Sequence, residues 1–127
     1  MTLADYLMGR DATHKSDLTP EIVANANTLL ERVRSLLGAF GEVRAITSGW
    51  RPPSVNAVTV GAATRSKHMT GLAVDLDDPD GDLDEWCFEN QEVLQHYQLW
   101  LEHPATTKGW THLQSVPPKS GKRVFYP

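Results

Sequence analysis

The sequence predicts an α+β fold in which helices flank a small, mostly antiparallel sheet. Two stretches carry apolar residues at helical spacing, and several short apolar runs are bounded by glycine and proline. The 127 residues contain no repeat and no linker-like segment. We therefore expect one domain that covers residues 1–127.

The clearest predicted element is a helix that begins after Thr19. Thr19 suits the N-cap, because its side chain can accept an orphan N–H, and Pro20 suits the first helical position. Apolar residues then recur at helical spacing up to residue 37, and Gly38 is expected to end the helix. Before it, residues 3–8 are predicted to form a short helix or arm that breaks at Gly9. The long helix has a structural role, packed against the core.

The remaining elements alternate between strand and helix. In chain order we expect a strand at 43–48, a loop at 54–66, a strand at 72–76, a turn at 77–81, a helix at about 83–97, strands at 99–102 and 109–114, and an extended segment at 116–127. Asp82 with Glu85 three residues later is typical of a capping box, which would begin the second helix.

Composition excludes several classes of function. The 12 Lys and Arg against 16 Asp and Glu give a net charge of −4 without a basic block, so nucleic acid is not an expected partner. No apolar run approaches the roughly 18 residues of a membrane span. The single cysteine, Cys87, excludes an internal disulfide, indicates a reducing compartment, and leaves nitrogen and oxygen as metal ligands. The N-terminus has no secretory-signal pattern, which predicts synthesis in the cytoplasm.

The most informative motif is Ser-Lys-His-Met-Thr-Gly-Leu-Ala-Val-Asp at 66–75, completed by Trp-Thr-His-Leu-Gln at 110–114. His68, Asp75 and His112 supply two imidazoles and one carboxylate, the three-ligand set that leaves a catalytic zinc one open position. Strand alternation puts Asp75 on one face of its strand and His112 on the same face as Gln114. Taken singly, each histidine is more often a surface or core residue, and Asp75 could cap a turn or pair with an arginine. The combined pattern favours zinc.

These residues resemble a known family. Ser-x-His-x-x-Gly-x-Ala-x-Asp followed by Trp-x-His is similar to the zinc D-Ala-D-Ala carboxypeptidase family, which includes vancomycin-resistance dipeptidases and phage endolysins, and whose fold the hedgehog signalling domain shares. Ser48-Gly49-Trp50-Arg51 is similar to the family's Ser-Gly-aromatic-Arg segment. The resemblance covers roughly residues 18–115, and the C-terminal segment is most similar to small phage-type members. It implies a hedgehog-like or D-Ala-D-Ala carboxypeptidase-like fold.

The resemblance also implies roles for individual residues. His68, Asp75 and His112 would bind Zn²⁺. Arg51 would hold a substrate carboxylate or stabilise an oxyanion, the alternative being a surface salt bridge. Ser66 would hydrogen-bond the substrate backbone or orient the site, unless it simply shapes its loop.

One position departs from the family pattern. The family usually has a general-base Glu three residues before the final His, where this chain has Gly109. The nearest preceding acid is Glu102, which strand alternation places on the face opposite Leu101. We hypothesise that Glu102 reaches the cleft from a neighbouring strand and acts as the base. The alternative is a solvated Glu at a strand end.

Three functional interpretations follow. The first is a zinc-dependent peptidase that hydrolyses peptide bonds in peptidoglycan stem peptides, as a D-Ala-D-Ala carboxypeptidase or an endopeptidase, by metal-activated water. The second is a non-catalytic, zinc-stabilised module that binds the cell wall or a virion protein. The third has no metal, with His68 and Asp75 in a structural hydrogen-bond network. Because peptidoglycan lies outside the cytoplasm, an endolysin-like product would act after lysis or from a virion; its oligomeric state stays open, a monomer included.

Overall fold

A five-stranded sheet with strand order β1-β2-β4-β3-β5 organises the chain. The computed structural model describes residues 1–127. The strands are β1 (Ile46–Ser48), β2 (Ala73–Asp78), β3 (Trp100–Glu102), β4 (Gly109–Gln114) and β5 (Val124–Phe125). The first three neighbouring pairs are antiparallel and only β3 with β5 is parallel. The α+β prediction with a mostly antiparallel sheet is confirmed.

Six α-helices surround this sheet. They are α1 (Leu3–Leu7), α2 (Arg10–Thr13), α3 (Pro20–Phe40), α4 (Pro53–Val58), α5 (Asp82–Glu89) and α6 (Gln91–His96). Short 3-10 turns lie at Lys15–Asp17, Lys67–Thr70 and Pro104–Thr106. None of the helices combines the length and the apolar character needed to cross a membrane.

Helix α3 begins as the sequence predicts and ends later. The Thr19 hydroxyl accepts the Ile22 N–H, and Pro20 occupies the first turn. The prediction that Gly38 ends the helix was wrong, because the left-handed residue that closes α3 is Gly41, with φ 94°. Gly38 lies on an open face of the helix, where a helical glycine is tolerated at a modest cost.

The sheet has one apolar and one polar face. Val74, Leu76, Leu101 and Leu113 are fully buried in the core, which is completed by the inner faces of the helices. Period-two alternation turns Asp75 to the other face, which is free for chemistry. Burial of each large apolar side chain stabilises the fold by roughly 1.5–3 kcal/mol, so the core fixes the strand register.

Five further local predictions need correction. The expected loop at 54–66 begins inside α4, and the expected strand at 43–48 is reduced to Ile46–Ser48. The second helix is two helices that break at Asn90, whose φ and ψ are −125° and 57°. The capping box does not form, because the Asp78 carboxylate accepts the N–H groups of Leu83 and Asp84 instead. The extended tail contributes a strand, β5.

Candidate metal centre

His68, Asp75 and His112 meet on the polar face of the sheet. The β2–β4 register pairs Asp75 directly with His112, and His68 comes from the 3-10 turn just before β2. Asp75 Oδ1 lies 2.8 Å from His112 Nδ1 and 3.3 Å from His68 Nε2. One candidate ligand atom from each residue lies within 4.8 Å of the others. The structure therefore brings the three predicted ligands together.

Two glycines allow the backbone to approach this group closely. Gly71 closes the turn of His68 in the left-handed region, with φ 77°, and a Cβ there would lie 2.6 Å from the Ile22 carbonyl oxygen. At Gly49 a Cβ would lie 2.0 Å from the Tyr6 carbonyl oxygen. Any side chain at either position would push α1 or α3 away from the site.

The outer hydrogen bonds of the two histidines set the orientation of their rings. His68 Nδ1 lies 2.9 Å from the Gly49 carbonyl oxygen, which can only accept a hydrogen bond. His112 Nε2 lies 3.0 Å from Gln114 Oε1, and Gln114 Nε2 donates to the Val116 carbonyl at 2.9 Å. Each ring therefore carries a proton on its outer nitrogen, leaving the inner nitrogen as the possible ligand.

The inner nitrogens fit a cation. His68 Nε2 is buried without a hydrogen-bond partner and faces the carboxylate of Asp75. Two imidazole nitrogens and one carboxylate oxygen are the donor set of a three-ligand zinc site. The residues present therefore fit a zinc ion.

Electrostatics keep Asp75 available as an anionic ligand. Burial favours its neutral form, but contacts with His112 and His68 outweigh burial and hold the pKa of Asp75 well below its usual range. Burial lowers the pKa of His68, whereas the interaction with Asp75 overcomes burial at His112 and raises the pKa of His112. In the metal-free protein, a proton on His112 Nδ1 lies between this nitrogen and the Asp75 carboxylate. It supplies the positive charge that a bound cation would otherwise supply there.

These three residues line a cleft of about 590 Å³. Arg51, which follows β1, and residues of the segment 59–67 form one wall. Glu102, Trp110 and Phe125 line the cleft from β3, β4 and β5, which lie across β2 from β1 in the strand order. Trp50 does not line the cleft, since it is fully buried and donates its indole N–H to the Met69 carbonyl. The cleft is large enough for part of a peptide.

Comparison with known proteins agrees with this arrangement. Residues 6–114 match the family described as Peptidase M15. The chain belongs to the peptidase M15 family. No curated protein and no solved structure matches the chain. Membership of this family supports the assignment of the chain as a metallopeptidase. Peptidases of the M15 family are zinc-dependent.

Arg51 and Ser66 lie beside the ligands in this M15 peptidase. Arg51 is buried, lines the cleft and forms no ion pair, so the surface salt bridge considered from the sequence is wrong. Its Nη2 donates to Ser66 Oγ at 3.4 Å, and Ser66 Oγ also accepts the His68 N–H at 3.2 Å. Ser66 therefore shapes the turn that carries His68, while Arg51 presents a cation to the cleft.

Glu102 lies in the same cleft. The β3–β4 register pairs Leu101 with Leu113, and the next step of that register brings Glu102 beside His112. Glu102 lines the cleft, and its Oε2 accepts the Thr106 hydroxyl at 3.0 Å. Burial raises the pKa of Glu102. Gly109, where the family usually has its Glu, is exposed at the start of β4.

Sequence reasoning assigned no role to two residues that support the site. Gln114 was placed on the face of His112, but its bond to the ring depends on the side-chain amide being held by Val116, which no local pattern reveals. Thr106 fixes one oxygen of Glu102 from the 3-10 turn that follows β3. The spacing of His112 and Gln114, two residues apart on one strand, is the only sequence signal for Gln114, and no pattern marks Thr106.

Proposed function

We propose that this M15 chain is a zinc-dependent peptidase that hydrolyses peptide bonds in peptidoglycan stem peptides, as a D-Ala-D-Ala carboxypeptidase or an endopeptidase. The observation that carries the proposal is the convergence of His68, Asp75 and His112 with Glu102 in one cleft. The likeness of the motif at 66–75 to wall-cutting members supports the choice of substrate. The same likeness supports action after lysis or as part of a virion.

The metal would be held by His68 Nε2, one oxygen of Asp75 and His112 Nδ1. A zinc ion supplies Lewis-acid polarisation of a water molecule and of a carbonyl group. The contribution of the protein is to hold the two rings by their outer nitrogens, at Gly49 and Gln114, so that their inner nitrogens converge.

Glu102 is the proposed general base. Thr106 occupies Oε2 of Glu102, which leaves Oε1 to accept a proton from the attacking water and to pass it to the leaving amine. Its location beside His112 puts it in the cleft that a substrate and the attacking water would enter. Arg51, held by Ser66, presents a fixed guanidinium to a substrate carboxylate or to the oxyanion that develops at the reacting carbonyl.

The test is the release of fragments from purified peptidoglycan by the zinc-loaded protein, analysed by mass spectrometry. Free D-alanine is expected from a carboxypeptidase, and a larger fragment would identify an endopeptidase and its bond. Glu102→Gln should lower the rate by about 100-fold or more while zinc binding persists, because general-base catalysis contributes about 10²–10⁴-fold. Glu92→Gln, an exposed acid on α6, is the matched control and should keep full activity.

Two outcomes would change the assignment. Full activity in Glu102→Gln removes Glu102 from the mechanism. If the wild-type protein holds zinc and releases nothing, the non-catalytic binding module becomes the better interpretation. Gly109, which has no side chain to replace the usual Glu, is the observation that favours that alternative.

A further inference from the structure

Three cations on one wall of the cleft have no acidic partner. Arg51, Arg65 and Lys67 all line the cleft, and none takes part in an ion pair within 4.0 Å. The chain as a whole has a net charge of −4. The positive charge of this wall is therefore opposite in sign to the net charge of the protein. We call these three residues the cationic wall.

The side-chain carboxylates of the cleft do not neutralise the cationic wall. Asp75 is engaged by His112 and His68, and Glu102 lies on the opposite side, where it accepts the Thr106 hydroxyl. A metal ion at the ligands would add further positive charge. A concave site whose walls exclude water concentrates such a field on whatever enters it. The cleft therefore favours an anion along this wall.

The three cations differ in burial and in hydrogen bonding. Arg51 is buried and tied to Ser66, so its guanidinium has a fixed place close to the ligands. Arg65 and Lys67 are exposed, and their side chains donate no hydrogen bond within the protein. Long exposed side chains of this kind can follow a charge that lies some distance from the reacting bond. They suit recognition better than chemistry.

We propose that the cleft selects acidic peptides, and that Arg65 and Lys67 determine this specificity by contacting a substrate carboxylate away from the scissile bond. The inference rests on the proposed peptidase function for its site and names the substrate class of that site. The carboxylate that Arg51 would hold is separate, because Arg51 lies deeper in the cleft than the two exposed cations.

The experiment uses pairs of synthetic peptides that differ only by Glu in place of Gln at one position, moved stepwise away from the scissile bond. Binding to the zinc-loaded protein is measured by calorimetry, and kcat/KM is measured for every peptide that is cleaved. At one or more positions the acidic peptide should bind more tightly, by about two- to fivefold for each exposed cation engaged. The preference should fall at high salt, which screens exposed charges.

The variant Arg65→Gln/Lys67→Gln should abolish the preference for the acidic peptide. Lys119→Gln/Lys122→Gln removes the same charge away from the cleft and should keep it. Equal binding of both peptides at every position, or no binding of any acidic peptide, would overturn the inference, and so would an undiminished preference in Arg65→Gln/Lys67→Gln. If acidic peptides bind selectively and none is cleaved, the peptidase proposal fails while the specificity inference stands.

Discussion

At the scale of single residues, one neutral side chain controls a metal ligand. Gln114 is buried, and its amide cannot turn over without breaking its bond to the Val116 carbonyl. The oxygen is thereby aimed at His112 Nε2, which must carry a proton. A histidine held in this way presents its other nitrogen to a metal with little loss of rotational freedom.

Replacing Gln114 by Leu should weaken zinc binding by about 10- to 100-fold, the usual range for an outer partner of a ligating histidine. Gln114→Glu keeps an acceptor at the ring but loses the donor to the Val116 carbonyl, so it should bind zinc more tightly than Gln114→Leu. Zinc dissociation constants from chelator competition test this, together with ¹⁵N NMR shifts of the metal-free protein that report which nitrogen of His112 is protonated. Equal zinc affinity in the folded Leu variant would show that Gln114 does not position the ligand.

At the scale of elements, strand alternation was the reliable guide from the sequence. It correctly placed the side chains of Asp75 and His112 on the faces where they meet, because a period of two follows from the geometry of a strand. The start of α3 was equally predictable, since Thr19 and Pro20 act on their immediate neighbours. Local patterns were therefore sufficient wherever the stabilising partners lie within a few residues.

The start of α5 shows where local patterns fail. The capping box predicted at Asp82 is replaced by Asp78, which is buried at the end of β2 and also accepts the Thr111 hydroxyl from β4. Only the packed sheet puts Asp78 in reach of the helix. The partner of Glu102 likewise depends on the 3-10 turn after β3, which no periodic pattern marks.

The same region of α5 contains a buried acid whose ionisation should destabilise the fold. Burial, together with the charges of Asp78 and Glu102, raises the pKa of Asp84 from 3.8 to about 6, and Asp84 Oδ1 has no hydrogen-bond partner. A carboxyl group whose pKa is higher in the folded than in the unfolded protein stabilises the fold at pH values below the unfolded-state pKa. This stabilisation is lost as the pH rises through the folded-state pKa. The loss therefore falls between about pH 4 and about pH 6.

Because the substituted asparagine would not titrate, the free energy of unfolding of Asp84→Asn should rise relative to that of the wild type as the pH increases from about 4 to about 7. The expected change in this difference is up to about 3 kcal/mol, at about 1.36 kcal/mol for each pKa unit. Urea denaturation at both pH values measures the difference. Asp82→Asn, an exposed acid in the first turn of the same helix, is the control and should show a nearly constant difference. A constant difference for Asp84→Asn as well would contradict the burial argument.

At the scale of the whole molecule, the candidate ligands connect distant parts of the fold. His68 follows the loop after α4, Asp75 lies in β2 and His112 lies in β4, while α1 and α3 press against Gly49 and Gly71 behind them. Such a set exists only when the sheet and these helices have packed. A metal bound there would therefore bind the folded state and stabilise the whole domain rather than one loop.

Zinc should accordingly raise the melting temperature of the metal-free protein, and a chelator should reverse the change. At a free zinc concentration about 100 times the dissociation constant, the expected stabilisation is about 2.7 kcal/mol. His68→Gln should lose most of this shift, whereas His103→Gln, a histidine outside the ligand group, should keep it. Calorimetric unfolding with and without zinc is the measurement. If zinc leaves the wild-type melting temperature unchanged, His68, Asp75 and His112 form a structural hydrogen-bond network without a metal.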